Sequence, residues 1–209
     1  MVAAALALAV VSMVSNINTA AQMSGQADVL RAIRLTFSNL ANAGVVWAGL
    51  LILAGWLVKY PRQAAAAGVA AGLMSLIAHY ALGQAAGIYT AEIWEANLNW
   101  FFITAIVGAP LGLIGSLAHR ADDLGFLARL LMPVGAVAEP LVRGYFTLHP
   151  TLLWPDRLAS VICGVVLIAA GLLAAFVAVR RRRRGAVQAS GSSASSEAFS
   201  LKPRGSSAS

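Results

Sequence analysis

Long apolar blocks separated by short polar connections make up most of this chain. Crossing a bilayer core of about 30 Å takes roughly 20 residues of helix, and five blocks come close to that length. They are residues 41–58, 64–82, 99–118, 126–146 and 158–179. The connections between them carry prolines and charged residues, which end helices and favour water. The pattern predicts an all-α, polytopic membrane bundle.

The first 14 residues form a sixth, shorter apolar block. Its length is nearer to the core of a signal peptide than to a full span. A signal peptide begins with basic residues, and Met1-Val2-Ala3 has none, so a real first helix is favoured. We therefore expect about six transmembrane helices, whereas cleavage would leave five with the other loops on the same sides.

The longest connection, residues 15–40, contains a second kind of pattern. Leu30, Ile33, Phe37 and Leu40 recur at three- and four-residue spacing, with basic and polar residues between them. This spacing predicts an amphipathic helix in an outer loop. Such a helix lies in the membrane interface or packs over the outer mouth of the bundle, and the pattern does not decide between the two.

Composition and charge exclude an ordinary soluble domain. The 209 residues are 59% hydrophobic and 11% charged, against about 25% charged in soluble domains, and the mean hydropathy is +0.77. The net charge of +7 first suggests nucleic acid. However, a third of the basic residues form one run, Arg180 to Arg184, directly after the last apolar block. That position is typical of a topology signal, and no nucleic-acid partner is expected.

The distribution of basic residues predicts the orientation. Most lysines and arginines of the connections lie at residues 59–62 and 120–129 and in the run at 180–184, which are alternate connections, while residues 92–97 carry two glutamates and no basic residue. Arg31, Arg34 and Arg157 oppose this pattern but are outnumbered. Cytoplasmic loops are enriched in lysine and arginine. We therefore expect a multi-pass protein of the cell membrane with both termini in the cytoplasm.

The chain after the arginine run changes composition abruptly. Residues 185–209 are rich in serine, alanine and glycine and contain few large apolar side chains. Such a segment cannot bury enough surface to fold. The predicted organisation is therefore a five-helix transmembrane core at residues 41–179, followed by a basic run and a disordered cytoplasmic tail at residues 180–209.

Glu139 and Arg143 are ionisable residues inside residues 126–146, the fifth span when the first 14 residues are counted as the first. Charged groups at membrane depth are costly and mark candidate sites. Their four-residue spacing puts them on one helical face, where they can form an ion pair. The alternative to a binding role is a structural pair in which Arg143 extends to the interface.

Polar and aromatic residues of two further spans share the predicted depth of Glu139. His79 and Tyr80 lie near the outer end of the third span, and Trp100 lies near the outer end of the fourth. This shared depth predicts an outward-facing polar pocket with ligand-binding residues His79, Tyr80, Trp100, Glu139 and Arg143. Alternatively, His79 makes a helix–helix hydrogen bond, and Trp100 belongs to an aromatic belt.

Catalytic and metal-binding motifs are absent from the sequence. It has no Walker sequence, no His-Glu-x-x-His, no Gly-x-Ser-x-Gly and no cluster of His and Asp at metal-ligand spacing. The single cysteine, Cys163, excludes a disulfide framework and is expected to be a small packing residue. We expect no enzyme, no metal and no cofactor.

Short motifs over residues 39–179 resemble a family of small multi-pass membrane proteins from actinobacteria, known only as a domain of unknown function. The resemblance rests on Asn39, Asn42, Gly44, Trp47, Pro61-Arg62, the segments 79–83 and 108–112, and Ala138-Glu139. It covers about two thirds of the chain. It implies a bacterial membrane protein and assigns no activity, substrate or site residue.

Two functions fit these observations. The first is a small-molecule-binding or transport-associated membrane subunit with an outward-facing pocket, which would require a transmembrane partner and separate ATPases. The second is a structural or assembly protein without a ligand, which packs its glycine-rich faces against other membrane proteins or a second copy of itself. A polar cavity at the outer depth favours the first, and separate interfaces for Glu139 and His79 favour the second.

Overall fold

The computed structural model describes residues 2–15, 28–58, 60–147 and 152–200. Over these residues the regular structure is entirely helical, which confirms the predicted all-α fold. The helices in chain order are α1 (Val2–Ser15), α2 (Asp28–Ala41), α3 (Gly44–Trp56), α4 (Pro61–Ala85), α5 (Ile93–Ala96), α6 (Leu98–Leu117), α7 (Asp123–Val142) and α8 (Trp154–Ser200).

Helix length and apolar composition agree with a membrane bundle. Five helical segments in the described part of the chain are long and apolar enough to cross a membrane. They are Asp28–Trp56, Pro61–Ala85, Leu98–Leu117, Asp123–Val142 and Trp154–Arg184. The short apolar helix Ala3–Met13 is additional. At 1.5 Å per residue α1 is about 21 Å long, so it reaches through only part of the bilayer core.

The helices form two groups. In the first, α3, α4 and α6 pack against one another, and α1 lies along α4. In the second, α2 and α7 pack against α8. The groups meet where α1 contacts α2, where α3 contacts α7 and where α6 contacts α7, and all three contacts are small compared with those inside the groups.

Glycines allow close approach of α3, α4 and α6. A Cβ atom on Gly55 of α3 would lie 1.9 Å from the carbonyl oxygen of Gly112 in α6. A Cβ on Gly68 of α4 would lie 2.3 Å from the carbonyl oxygen of Gly108. Small residues at helix interfaces permit such backbone contact in membranes. The four-residue spacing of Gly68 with Gly72, and of Gly108 with Gly112, therefore marks the tightly packed inner part of the bundle.

The connections that the sequence places on one side meet at one end of the bundle. His119, after α6, stacks on Trp56 of α3 at a ring distance of 5.0 Å and donates to its carbonyl oxygen at 2.6 Å. Arg182 of α8 pairs with Asp123 at the start of α7. We call this the basic end. Lys59 lies outside the described residues.

The same end carries a local ion pair that starts α7. Arg120 binds Asp122 through two nitrogens, and Asp122 also accepts from the backbone N–H of Gly125 at 3.0 Å. The hydrogen bonds from Arg120 lower the pKa of the Asp122 carboxyl. Asp122 is thus the N-cap of α7 and keeps the loop from α6 short.

The second span begins earlier than the sequence pattern predicts. The helical run starts at Asp28, not near residue 41, and is interrupted at Asn42 and Ala43, where Ala43 is extended. The amphipathic segment forms α2 and lies along α8 with Arg31 paired to Asp156 at 3.0 Å. The predicted tail at residues 185–209 stays a prediction, since the α8 backbone continues to Ser200 and residues 201–209 lie outside the described residues.

The apolar stripe of α2 points away from the protein. Leu30, Ile33 and Phe37 are each more than half exposed, whereas Ala32 and Ser38 are buried. A helix packed over the mouth of the bundle would instead bury its large apolar side chains. The exposed stripe belongs to the apolar run Asp28–Trp56 and lies beside α8, where Ile33 and Phe37 border an apolar groove. Leu40 packs further inward, against Ala43 and Cys163.

We expect Gly112→Ala to destabilise the protein more than Gly135→Ala. The new Cβ at position 112 would lie 2.1 Å from the carbonyl oxygen of Ala64, and overpacking of this kind costs about 1–3 kcal/mol. At position 135 the nearest atom is a Val45 methyl at 3.6 Å, so the helix propensity of alanine should dominate. Denaturant unfolding in detergent measures both, and equal stabilities would contradict the close backbone contact.

Candidate functional site

The interruption between α2 and α3 leaves the first backbone N–H groups of α3 to be satisfied from outside the helix. The first N–H groups of a helix have no partner inside it, and at membrane depth each needs one. Glu139 of α7 supplies them, because its two carboxylate oxygens accept from the N–H groups of Gly44 at 2.6 Å and Val45 at 2.7 Å. Glu139 is therefore a cap contributed to α3 by a different helix.

Arg143 partly neutralises this carboxylate. Its Nε lies 3.3 Å from Glu139 Oε1, and the exposed fractions of the two side chains are 48% and 11%. Its Nη1 donates to the Tyr145 hydroxyl at 3.4 Å. The ion pair predicted from the four-residue spacing is thus present, and its acidic member also holds α3.

His79 connects α4 with α1 and with the outer loop. Its Nδ1 is 3.4 Å from the carbonyl oxygen of Ala9, to which it donates. Its Nε2 is 3.1 Å from the Tyr89 hydroxyl, which acts as donor to the neutral ring. Both nitrogens are engaged by the protein, so the predicted alternative of a helix–helix hydrogen bond is observed.

Aromatic rings surround this histidine at the end of the bundle opposite the basic end. Tyr80 makes ring contacts with Tyr89, Trp94 and Phe101 at centroid distances of 5.7–6.4 Å. Gly83 permits the loop to fold back, because a Cβ there would lie 2.2 Å from the Tyr89 ring. The rings thus hold the outer loop against α4 and α6.

A cavity of about 460 Å³ lies between α3, α4 and α6 beneath this cluster. Ligand pockets in proteins have about this size. The wall is formed by Ser12, Asn42, Gly44, Trp47, Ala48, Leu51, Gly72, Leu76, His79, Tyr80, Trp100, Ile103, Thr104, Val107, Leu111 and Arg143.

Polarity changes along the depth of the cavity. Its outer part is lined by Asn42, His79, Tyr80 and Arg143, whereas Leu111 and its apolar neighbours close the inner part. The lining positions of α6 run from Trp100 to Leu111, which corresponds to about 16 Å of helix. The cavity therefore has a polar mouth region and an apolar floor.

Four of the five predicted ligand-binding residues line this single cavity, namely His79, Tyr80, Trp100 and Arg143. Glu139 does not line it and instead holds Arg143 and the start of α3. Glu139 and His79 therefore lie at separate interfaces, which is the arrangement that favours the structural or assembly role, whereas the cavity favours binding. The role of the five predicted residues in binding a ligand stays a prediction.

The sequence analysis missed other polar lining residues. Thr104 and Ser12 also line the cavity, and a lone hydroxyl inside an apolar span is a signal from which they could have been predicted. Asn42 and Trp47 were noted only for the family resemblance. Ser12 donates to Asn42 at 2.6 Å, a contact between segments whose rotation about their axes cannot be derived from hydropathy.

Other candidate chemistry is not supported among the residues that the structure describes. No group of three His, Cys, Asp or Glu side chains there could hold a metal ion. Cys163 is fully buried beside Ala43 and Leu167, as expected for a packing residue.

Comparison with known proteins gives no relative: no family model, no curated protein and no solved structure matches the chain. The resemblance to an actinobacterial family therefore stays a prediction, and the functional argument depends on the geometry alone.

We expect Glu139→Ala to lower the free energy of unfolding by about 2–3 kcal/mol, because it leaves two backbone donors at membrane depth unpaired. Glu139→Gln should cost less, since an amide oxygen still accepts one bond. Chemical unfolding in detergent measures the difference. Glu95→Gln, an exposed change in the outer loop, is the matched control, and a loss no larger than the control's would show that the cap contributes nothing.

Proposed function

We propose that this chain is an integral membrane protein that binds a small molecule in an outward-facing pocket, as a binding or transport-associated subunit. The five long apolar helices support the membrane location. The observation that carries the binding role is the cavity between α3, α4 and α6, whose outer part is polar and whose floor is apolar.

The proposed orientation places the basic end in the cytoplasm of a bacterial cell. Arg180, Arg181, Arg183 and Arg184 are exposed there, beside the connection between α6 and α7. Cytoplasmic connections are enriched in such residues. The cavity mouth lies at the opposite end, near the loop that carries Glu92 and Glu95, and so faces the outside.

The proposed role is binding without chemistry. His79 is the natural general base of the cavity, but both its nitrogens already contact Ala9 and Tyr89. A base needs a free nitrogen within hydrogen-bond reach of its substrate. Transport driven by ATP would use separate ATPase subunits and a membrane partner, because this sequence has no Walker sequence.

Cysteine accessibility tests the pocket. In a Cys163→Ala background, we expect Thr104→Cys to react with a membrane-impermeant thiol reagent added from outside, because Thr104 lines the cavity. Ile106→Cys is the matched control on the same helix, since Ile106 is 73% exposed and does not line the cavity. Its thiol would face lipid and should not react.

Two further positions check sidedness in the same experiment. Glu95→Cys in the outer loop should react in intact cells, and Arg62→Cys should react only after the membrane is opened. Protection of Thr104→Cys together with reaction at Glu95→Cys would overturn the outward-facing pocket. It would favour the structural or assembly role, in which the chain packs against other membrane proteins or a second copy.

A further inference from the structure

We infer that the cavity takes a single-chain amphipath with an oxygen-rich head group, and that this ligand enters sideways from the bilayer between α6 and α7. This inference rests on the proposed binding function and specifies its ligand. The polarity of the cavity, its unused donors and the gap between two helices support it independently.

The shape of the cavity matches an amphipath better than a uniformly polar solute. Its floor is lined by Leu51, Gly72, Val107 and Leu111, and no charged residue lies among the lining residues of that part. A polar solute there would lose its hydration without compensation. An apolar chain would instead gain about 0.8 kcal/mol for each CH₂ group that it buries.

The polar part of the wall offers hydrogen-bond donors. In the part of the chain that the structure describes, the hydroxyls of Tyr80 and Thr104 and the indole N–H of Trp100 have no protein hydrogen-bond partner, and all three residues line the cavity. Arg143 adds a guanidinium at the same level. Carboxylate, phosphate and ester oxygens accept from all of these groups, whereas an ammonium head could bind only the two hydroxyls, because the Trp100 indole and the Arg143 guanidinium have no acceptor.

Few residues form the cavity wall on the side where α6 faces α7. Arg143, directly after the C-terminus of α7, is the one lining residue from that side. The hydrogen bonds that join the two helices lie at the basic end, where Arg129 donates to the carbonyl oxygens of Ala118 and Arg120. The two helices share few contacts along their length, and Ile103 of α6, which lines the cavity, is 43% exposed. The opening therefore faces lipid tails.

Quenching of tryptophan fluorescence tests this ligand class. The full-length protein in lipid nanodiscs is titrated with a fatty acid brominated at mid-chain, its methyl ester and the matching alkylamine. Trp47 and Trp100 line the cavity and report a bound chain. We expect saturable quenching by the acid and the ester that excess unbrominated acid reverses, with the amine at least about tenfold weaker, a difference of 1.4 kcal/mol.

Two variants separate the cavity from the surrounding lipid. Val107→Phe fills the floor and should weaken the acid by about tenfold or more, whereas Ile106→Phe, its lipid-facing neighbour, should leave the affinity unchanged. Equal, non-saturable quenching in the wild type and both variants would mean that the brominated chains quench only from the surrounding bilayer, and it would overturn the inference. Equal binding of amine and acid would overturn the assignment of the head group.

A second readout keeps the inference distinct from the proposed function. Protection of Thr104→Cys from the impermeant reagent is measured with the long-chain acid and with hexanoate, a short water-soluble acid. If hexanoate protects the thiol and the long-chain acid does not bind saturably, the cavity takes a water-soluble ligand. That result would refute an amphipath that enters from the bilayer. A Thr104→Cys thiol that never reacts from outside would refute the outward-facing pocket itself.

Discussion

The carboxylate of Glu139 is the interaction on which the half of this bundle opposite the basic end depends. Two N–H groups at the start of α3 have no partner inside their own helix. Glu139 accepts from both, and Arg143 balances its charge. Because the donors belong to one helix group and the acceptor to the other, the same bonds fix how the two groups meet.

Close packing at one end of the bundle and separation at the other follow from side-chain size. Near the basic end α3, α4 and α6 approach through Gly55, Gly68 and Gly112, with backbone against backbone. Toward the opposite end the same helices carry larger side chains, Trp47, Tyr80 and Trp100, which line the cavity. The cavity occupies the space that results, between the glycine contacts and the aromatic cluster.

Much of the candidate site could be predicted because membrane depth can be counted along a helix. Each residue advances the chain by 1.5 Å, so His79, Tyr80, Trp100 and Arg143 could be assigned to one level before any contact was known. Rotation about the helix axis could not be counted in this way. It separates Glu139, which turns toward α3, from Thr104, which faces the cavity.

The sequence by itself determined the helical fold, the number of long spans, the approximate limits of all but the second, and the connections that share a side, because a bilayer imposes length and polarity on every crossing segment. Tertiary structure decided what depends on a partner helix. The interruption at Asn42 and Ala43 is stable only with a carboxylate supplied from α7, and the exposed stripe of α2 depends on which face α8 covers. Those choices arise from contacts between segments far apart in sequence, which local periodicity does not encode.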